Sequence, residues 1–330
     1  MNWNTVNLMS CTDGLPRIDS DSVDCLIVDP PYNIGKDFGN NKTRKEIQDY
    51  ISWCKEWLTE CERVLAPSGT MYIYGFSEIL AFISVELSLP HRWLVWHYTN
   101  KTVPSLHFWQ RSHESILCVW KEKNKRIFNR DSVREPYTEG FVKGYSDGKR
   151  KRPSGTGRFN TKGKDVITTY TVNKKGALPR DVIKVPSLAG GSGISERYVY
   201  SPSTAALYTN KQAKALNIAD GIKHPTQKPI KLTQKLLDGC LPGDEKSRVV
   251  IPFAGTGSEA FVCKQNNLKW IAFEINKDYV DMSNLLVQQG FPTNKKGKTN
   301  EAFAYSSCSL NLIGMFLPSI ALTSVFLVVV

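Results

Sequence analysis

Arg248-Val249-Val250-Ile251-Pro252-Phe253-Ala254-Gly255-Thr256-Gly257-Ser258 reads as a buried strand, Arg248 to Phe253, running straight into a glycine-bearing turn. Glu259 to Gln265 begins a helix, Trp270 to Ile275 reads as a second strand, and Asp278 to Gln288 as a second helix. Strand, glycine turn, helix and a strand closing on the acid Glu274 make a nucleotide-type βαβ unit. Gly255 and Gly257 let the backbone turn closely about a ligand. Glu274 stands where a carboxylate can accept hydrogen bonds from ribose hydroxyls. The third glycine of the dinucleotide fingerprint is missing and no Gly-Lys-Ser/Thr follows. The unit therefore fits an adenosine-containing cofactor without requiring a pyrophosphate.

The other half of the chain carries its own strand and turn. Val23 to Val28 is apolar enough for a strand buried on both faces, and it ends in Asp29-Pro30-Pro31-Tyr32. An exocyclic amine on an aromatic ring delocalises its lone pair into the ring and is a poor nucleophile. If Asp29 accepts one amino hydrogen and the Pro30 carbonyl the other, the nitrogen moves towards tetrahedral geometry and its lone pair is freed. The two prolines restrict φ, so both acceptors are held in advance. Tyr32 offers a ring face for a planar base. By itself, an Asp-Pro-Pro segment at a strand end is also an ordinary turn. Downstream, apolar residues at spacings of three and four from Arg44 to Ala66 predict an amphipathic helix stopped by Pro67 and Gly69. Strands are predicted over Thr70–Tyr74, Trp93–Tyr98 and Ile116–Trp120, and a shorter helix over Glu78–Leu87.

A third block, His224-Pro225-Thr226-Gln227-Lys228-Pro229, precedes a predicted helix over Lys228–Leu237. One histidine with no second ligand in reach is poor metal spacing. Thr226 or Gln227 suits a helix cap and Pro229 a first turn, while Lys228 is a candidate to face a ligand.

Between the two halves the composition shifts. Lys143, Lys149, Arg150, Lys151, Arg152, Arg158, Lys162 and Lys164 are offset only by Asp147, in a glycine-bearing stretch with little to bury. It reads either as a solvated loop or as a nucleic-acid contact that orders on binding. Across all 330 residues, Lys+Arg 43 against Asp+Glu 31 gives a net charge of +12, which favours a polyanionic partner. The eight cysteines show no paired short spacing and read as reduced thiols. No basic-then-apolar leader opens the chain, so a cytoplasmic, nucleoid-associated protein is expected. Leu310 to Val330 is almost wholly apolar, with Lys295, Lys296 and Lys298 upstream. That tail is long enough to cross a bilayer as a helix, although Pro318 weakens any regular structure there. Its other readings are a buried terminal element or a tail without a designed role.

The three blocks, in this order, resemble the permuted beta class of DNA amino-methyltransferases of restriction-modification systems, which use S-adenosylmethionine. In that family the catalytic motif comes first, the target-recognition region next and the cofactor motif last. The resemblance covers residues 5 to 122 and 222 to 292. It implies an α/β, Rossmann-like sheet of seven mostly parallel strands with one antiparallel. It divides the chain into a catalytic half (1–122), a basic recognition insert (123–222), a cofactor-binding half (223–292) and a tail (293–330).

By the same resemblance Asp29, Pro30 and Tyr32 are catalytic, and Asp29, His224, Thr226, Lys228, Phe253 to Ser258 and Glu274 face the cofactor. The implied reaction is N6 methylation of a flipped adenine in double-stranded DNA, without a metal. A homodimer and a cognate restriction endonuclease acting on the same site are the implied partners. Where the family commonly has an acid at the start of the glycine motif, this chain has Ile251. Two alternatives stay open: cytosine N4 methylation, and a DNA-binding protein with a degenerate pocket.

Overall fold

The computed structural model describes residues 1–33, 45–100, 104–143, 149–154, 166–189, 195–243 and 246–293, with 149–154 and 166–170 described by backbone path alone. The first half holds β1 (Thr5–Leu8), α1 (Cys11–Gly14), β2 (Val23–Val28), α2 (Ile47–Val64), β3 (Leu65–Gly75), α3 (Ser77–Glu86), β4 (His91–His97) and β5 (His113–Trp120). The middle holds α4 (Glu139–Val142), β6 (Lys149–Ser154), β7 (Val166–Thr171), β8 (Val182–Lys184), β9 (Tyr198–Ser201), β10 (Ala206–Thr209) and α5 (Asn210–Ala215). Last come α6 (Ile230–Cys240), β11 (Arg248–Ile251), α7 (Ser258–Gln265), β12 (Lys269–Glu274) and α8 (Lys277–Gln289).

The main sheet has the order β1-β12-β11-β2-β3-β5-β4-β8. The first five strands run parallel, and β5 alone runs against its neighbours β3 and β4. Strands from the two ends of the chain thus interleave, with β11 and β12 inserted between β1 and β2. Their carboxyl ends stand side by side, which is where ligands bind in open parallel sheets. The seven expected strands are present, and β8 adds an eighth, short strand parallel to β4 at the edge.

Alternation along β2 explains the two cores. Cys25 and Ile27 join a cluster with Leu232, Leu236 and Leu237 of α6, whereas Leu26 and Val28 join one with Cys54, Trp57 and Leu58 of α2. Helix α2 forms because its apolar residues recur on one face: Tyr50, Ile51, Cys54, Trp57, Leu58, Cys61 and Val64 are all buried. Trp57 is fully buried. Trp57→Ala is expected to lower unfolding free energy by about 3–5 kcal/mol, which a denaturant titration would read.

Two expectations need correction. Helix α2 passes directly into β3 at Leu65, and the Pro67–Gly69 segment lies inside that strand, where the β2–β3 register slips between Val23 and Cys25. A bulge absorbs the proline within the strand rather than ending it. The basic insert has regular backbone: Lys149 to Arg152 lie in β6, paired antiparallel with β7. The β-branched run Val166-Ile167-Thr168-Thr169 favours such a ladder. Arg158, Lys162 and Lys164 lie outside the described residues, as does the apolar tail. Among the described residues no helix is long and apolar enough to cross a membrane. The seven described cysteines are all free, and six of them are buried.

Candidate functional site

A cleft of about 320 Å³ opens at the carboxyl ends of β2, β11 and β12, within the usual range of small-molecule sites. The catalytic and glycine turns meet there. Asp29, Pro30, Tyr32, His224, Thr226, Lys228, Phe253, Ala254, Gly255, Thr256 and Glu274 all line it. Gly257 and Ser258 do not border the cleft. Ser258 is fully buried and shares a 2.9 Å hydrogen bond with the Thr256 hydroxyl.

The turn after β2 is fixed from several sides. Tyr50 donates its hydroxyl to the Pro31 carbonyl at 2.8 Å. Lys228 Nζ lies 2.6 Å from Asp29 Oδ2 and 3.7 Å from Glu114 Oε2, with only 2 % of its side chain exposed. The Tyr32 hydroxyl lies 2.8 Å from Asp29 Oδ1 and 2.9 Å from Glu114 Oε2. Tyr98 donates to Glu114 Oε1 at 2.5 Å. The one Tyr32 hydroxyl thus bridges the two acids. Its ring is buried, edge-on to Phe76 with centroids 5.1 Å apart.

Charge explains the proton balance. Asp29, Glu114 and Glu259 surround one buried cation, Lys228. Burial alone would lower the Lys228 pKa, but the carboxylates of Asp29 and Glu114 outweigh it and hold the lysine protonated above its ordinary value. Burial raises the Asp29 carboxyl against the opposing pull of Lys228. Burial, and then the Asp29 charge, push Glu259 up to about 7.

The cofactor side is built from bare backbone and neutral rings. Gly255 has φ +49°, and a Cβ there would meet the His224 imidazole at 3.1 Å. Burial lowers the His224 pKa to about 3, so the ring is neutral, and its Nδ1 accepts the Thr226 N–H at 3.3 Å. Glu274 Oε2 accepts the Gly255 N–H at 2.9 Å, and Oε1 accepts those of Ile275 and Asn276, each at 2.9 Å. Three donors leave Oε2 with one lone-pair direction for a ribose hydroxyl. Phe253 is wedged against Trp53 and Trp57, with centroids 5.8 and 5.6 Å away. An open glycine floor, an apolar wall and an acceptor at the end of β12 fit an adenosine-type ligand.

Several contributors were not anticipated. Glu114, on β5, carries no motif, and its only signal is a lone acid entering an apolar strand. Glu196 replaces Thr226 and Gln227 as the helix cap: its Oε2 accepts the Ile230 N–H at 2.9 Å, while Gln227 Nε2 donates to its backbone carbonyl at 2.8 Å. Pro229 sits one residue before the helix, at the cap position itself. Tyr198, on β9, donates to the Thr256 carbonyl at 2.6 Å. The middle segment therefore braces both the glycine turn and the His224–Pro229 block. Glu259 is the remaining newcomer.

The raised Glu259 value has a stability consequence. Its folded pKa of about 7 exceeds the unfolded value of about 4.3. The folded chain therefore binds more protons between those values, and stability falls as pH rises through that window. His224 acts in the opposite sense, because a depressed histidine adds stability as pH rises towards its unfolded value near 6.5. The comparison must therefore be differential. Relative to wild type, Glu259→Gln is expected to gain about 3 kcal/mol between pH 4.5 and pH 8, read by thermal unfolding of the ligand-free protein.

Residues 23–285 match the family model described as DNA methylase, of the N6/N4 type. Type II methyltransferase M.HpaI of Haemophilus parainfluenzae is 28% identical over 274 residues, covering 82% of this chain and 69% of the relative. DNA adenine methyltransferase YhdJ of Escherichia coli (strain K12) is 28% identical over 273 residues, covering 81% and 77%. The solved PvuII DNA methyltransferase (cytosine-N4-specific) superposes with a TM-score of 0.56 at 13% identity, covering 89% of each chain, a likeness of fold. The family match runs from β2 into α8 and so spans both halves of the split cleft: the chain belongs to the N6/N4 DNA methylase family.

Proposed function

We propose that this DNA methyltransferase methylates the N6 amino group of an adenine flipped out of duplex DNA. The observation that carries the reading is the meeting of Asp29 and Glu274 in one cleft, on strands that flank β11. S-adenosylmethionine, the methyl donor, supplies an electrophilic methyl group on a sulfonium centre. Glu274 accepts a ribose hydroxyl, and the Gly255 turn and Phe253 border the adenosine. Asp29 and the Pro30 carbonyl each hold one amino hydrogen of the target base. Among the described residues the neighbouring Pro31 carbonyl is already taken by Tyr50. Lys228 and Tyr32 fix the two oxygens of Asp29 before the base arrives, so little reorganisation is needed at the reacting centre.

Unstacking the base costs about a few kcal/mol, offset by contacts in the cleft and along the backbone. Lys143 and the β6 cations Lys149 to Arg152 supply phosphate attraction in this reading, with Arg158, Lys162 and Lys164. Adenine is favoured over cytosine by the acid at the first position of the catalytic turn and by the adenine-specific name of the Escherichia coli relative. Transfer of labelled methyl to duplex DNA, followed by digestion to nucleosides and mass identification, tests the choice. N6-methyldeoxyadenosine is the expected product; N4-methyldeoxycytidine would reassign the base.

A further inference from the structure

Three carboxylates line the cleft: Asp29, Glu259 and Glu274. Asp29 is engaged by Lys228 and Tyr32, and Glu274 by three backbone amides. Glu259 differs from both. It stands in the first turn of α7 with 5 % of its surface exposed, and its carboxylate is met by its own backbone amide. Among the described residues no side chain donates to it and no cation lies within ion-pair distance. A carboxylate buried in this way is costly unless a partner completes it. The nearby end of β11 offers no acid, since Ile251 is packed in the core. Charge points the same way: among the described residues Asp29, Glu114 and Glu259 share Lys228 as their one buried cation, so the charge of the cleft favours a second positive group.

We propose that Glu259 binds the α-ammonium group of the amino-acid end of S-adenosylmethionine. The assignment rests on the reading of the cleft as an S-adenosylmethionine site. The ammonium donates to the carboxylate, supplies the missing cation and ends the isolation of a buried acid. Because Glu259 ionises near 7 in the free protein, binding favours the ionised form, releases a proton and strengthens as pH rises through that value. The groups that face Glu259 are Asp29 after β2, Tyr74 on β3, Tyr198 on β9, Lys228 ahead of α6 and Cys263 on α7. Both tyrosines and the thiol are raised by burial and stay neutral across this range, and Lys228 stays charged.

Calorimetric titration of the full chain, wild type and Glu259→Gln, with S-adenosylmethionine, S-adenosylhomocysteine and 5′-methylthioadenosine tests the assignment. The last probe keeps the adenosine and thioether but lacks the amino-acid end. Glu259→Gln is expected to weaken the first two ligands by about tenfold or more, as for loss of one partner of a buried charge pair, and to leave 5′-methylthioadenosine within about twofold of wild type. Wild-type affinity for S-adenosylmethionine should rise between pH 6 and 8, and that rise should vanish in the variant. Equal weakening of all three ligands, or unchanged affinity for S-adenosylmethionine, overturns the role of Glu259. Failure of wild type to bind any of the three overturns the reading of the cleft as well.

Discussion

Asp29→Ala is expected to lower methyl transfer to duplex DNA by about a thousandfold, at the upper end of the loss of one preorganised group at a reacting centre. Two effects combine in that variant. The acceptor for the amino hydrogen is gone, and Lys228 loses its 2.6 Å partner while remaining buried, with Glu114 3.7 Å away. Breaking a buried pair from one side costs about 3–5 kcal/mol, so the variant should also unfold at lower denaturant. Asp29→Asn separates the contributions. It keeps the shape of the side chain but turns an amide towards Lys228 or Tyr32, so activity should fall nearly as far while part of the stability returns. Single-turnover rates beside unfolding curves give both readings. A variant that loses stability and keeps its rate would show that Asp29 is structural.

Gly257→Ala is expected to damage the cofactor half through the backbone. Gly257 has φ +76°, and a Cβ there would lie 2.7 Å from Ser283 Cβ and 2.9 Å from Ser283 Cα. Left-handed backbone costs an alanine about 1–2 kcal/mol, and the overlap with α8 adds about 1–3 kcal/mol. Relief requires α8 to move, and Ser283 of that helix donates its hydroxyl to the Gly255 carbonyl at 2.8 Å. The strain therefore reaches the turn that floors the cleft. Affinity for S-adenosylhomocysteine should fall by about tenfold or more, 1.4 kcal/mol being tenfold, together with the unfolding midpoint. Unchanged binding and unchanged stability would contradict this account of the turn.

Local chemistry was legible in the sequence, and long-range pairing was not. Helix α2 follows from apolar residues every three or four positions, and β2 from a short apolar run ending in Asp29. The two turns at the cleft are contiguous motifs whose prolines, glycines and acids state their own backbone needs. By contrast, Lys228 meets Asp29 across 199 positions of sequence. Periodicity carries no trace of such a pair, because an ion pair needs only that the turn after β2 and the segment ahead of α6 lie close in the finished fold. Strand β1 is not legible in sequence because four residues, Thr5-Val6-Asn7-Leu8, are too few to show alternation, and only pairing with β12 makes them a strand. Glu196 caps α6 from 34 positions away, a role for which Thr226 and Gln227 are the local candidates. In sequence Glu259 is one more acid in the first turn of a helix. Its burial emerges only when α7 packs against β11, β12, α6 and α8.

The most direct measurement is methylation of a defined duplex DNA library by wild type and Asp29→Ala, with S-adenosylmethionine and base-resolved readout. The predicted result is methyl groups on adenine N6 within one recurring sequence for wild type, and a background signal for the variant. Methylation by the variant at the wild-type rate, or no methylation of any base by the wild-type protein, would contradict the assignment of Asp29 and the glycine turn to one methyl-transfer site.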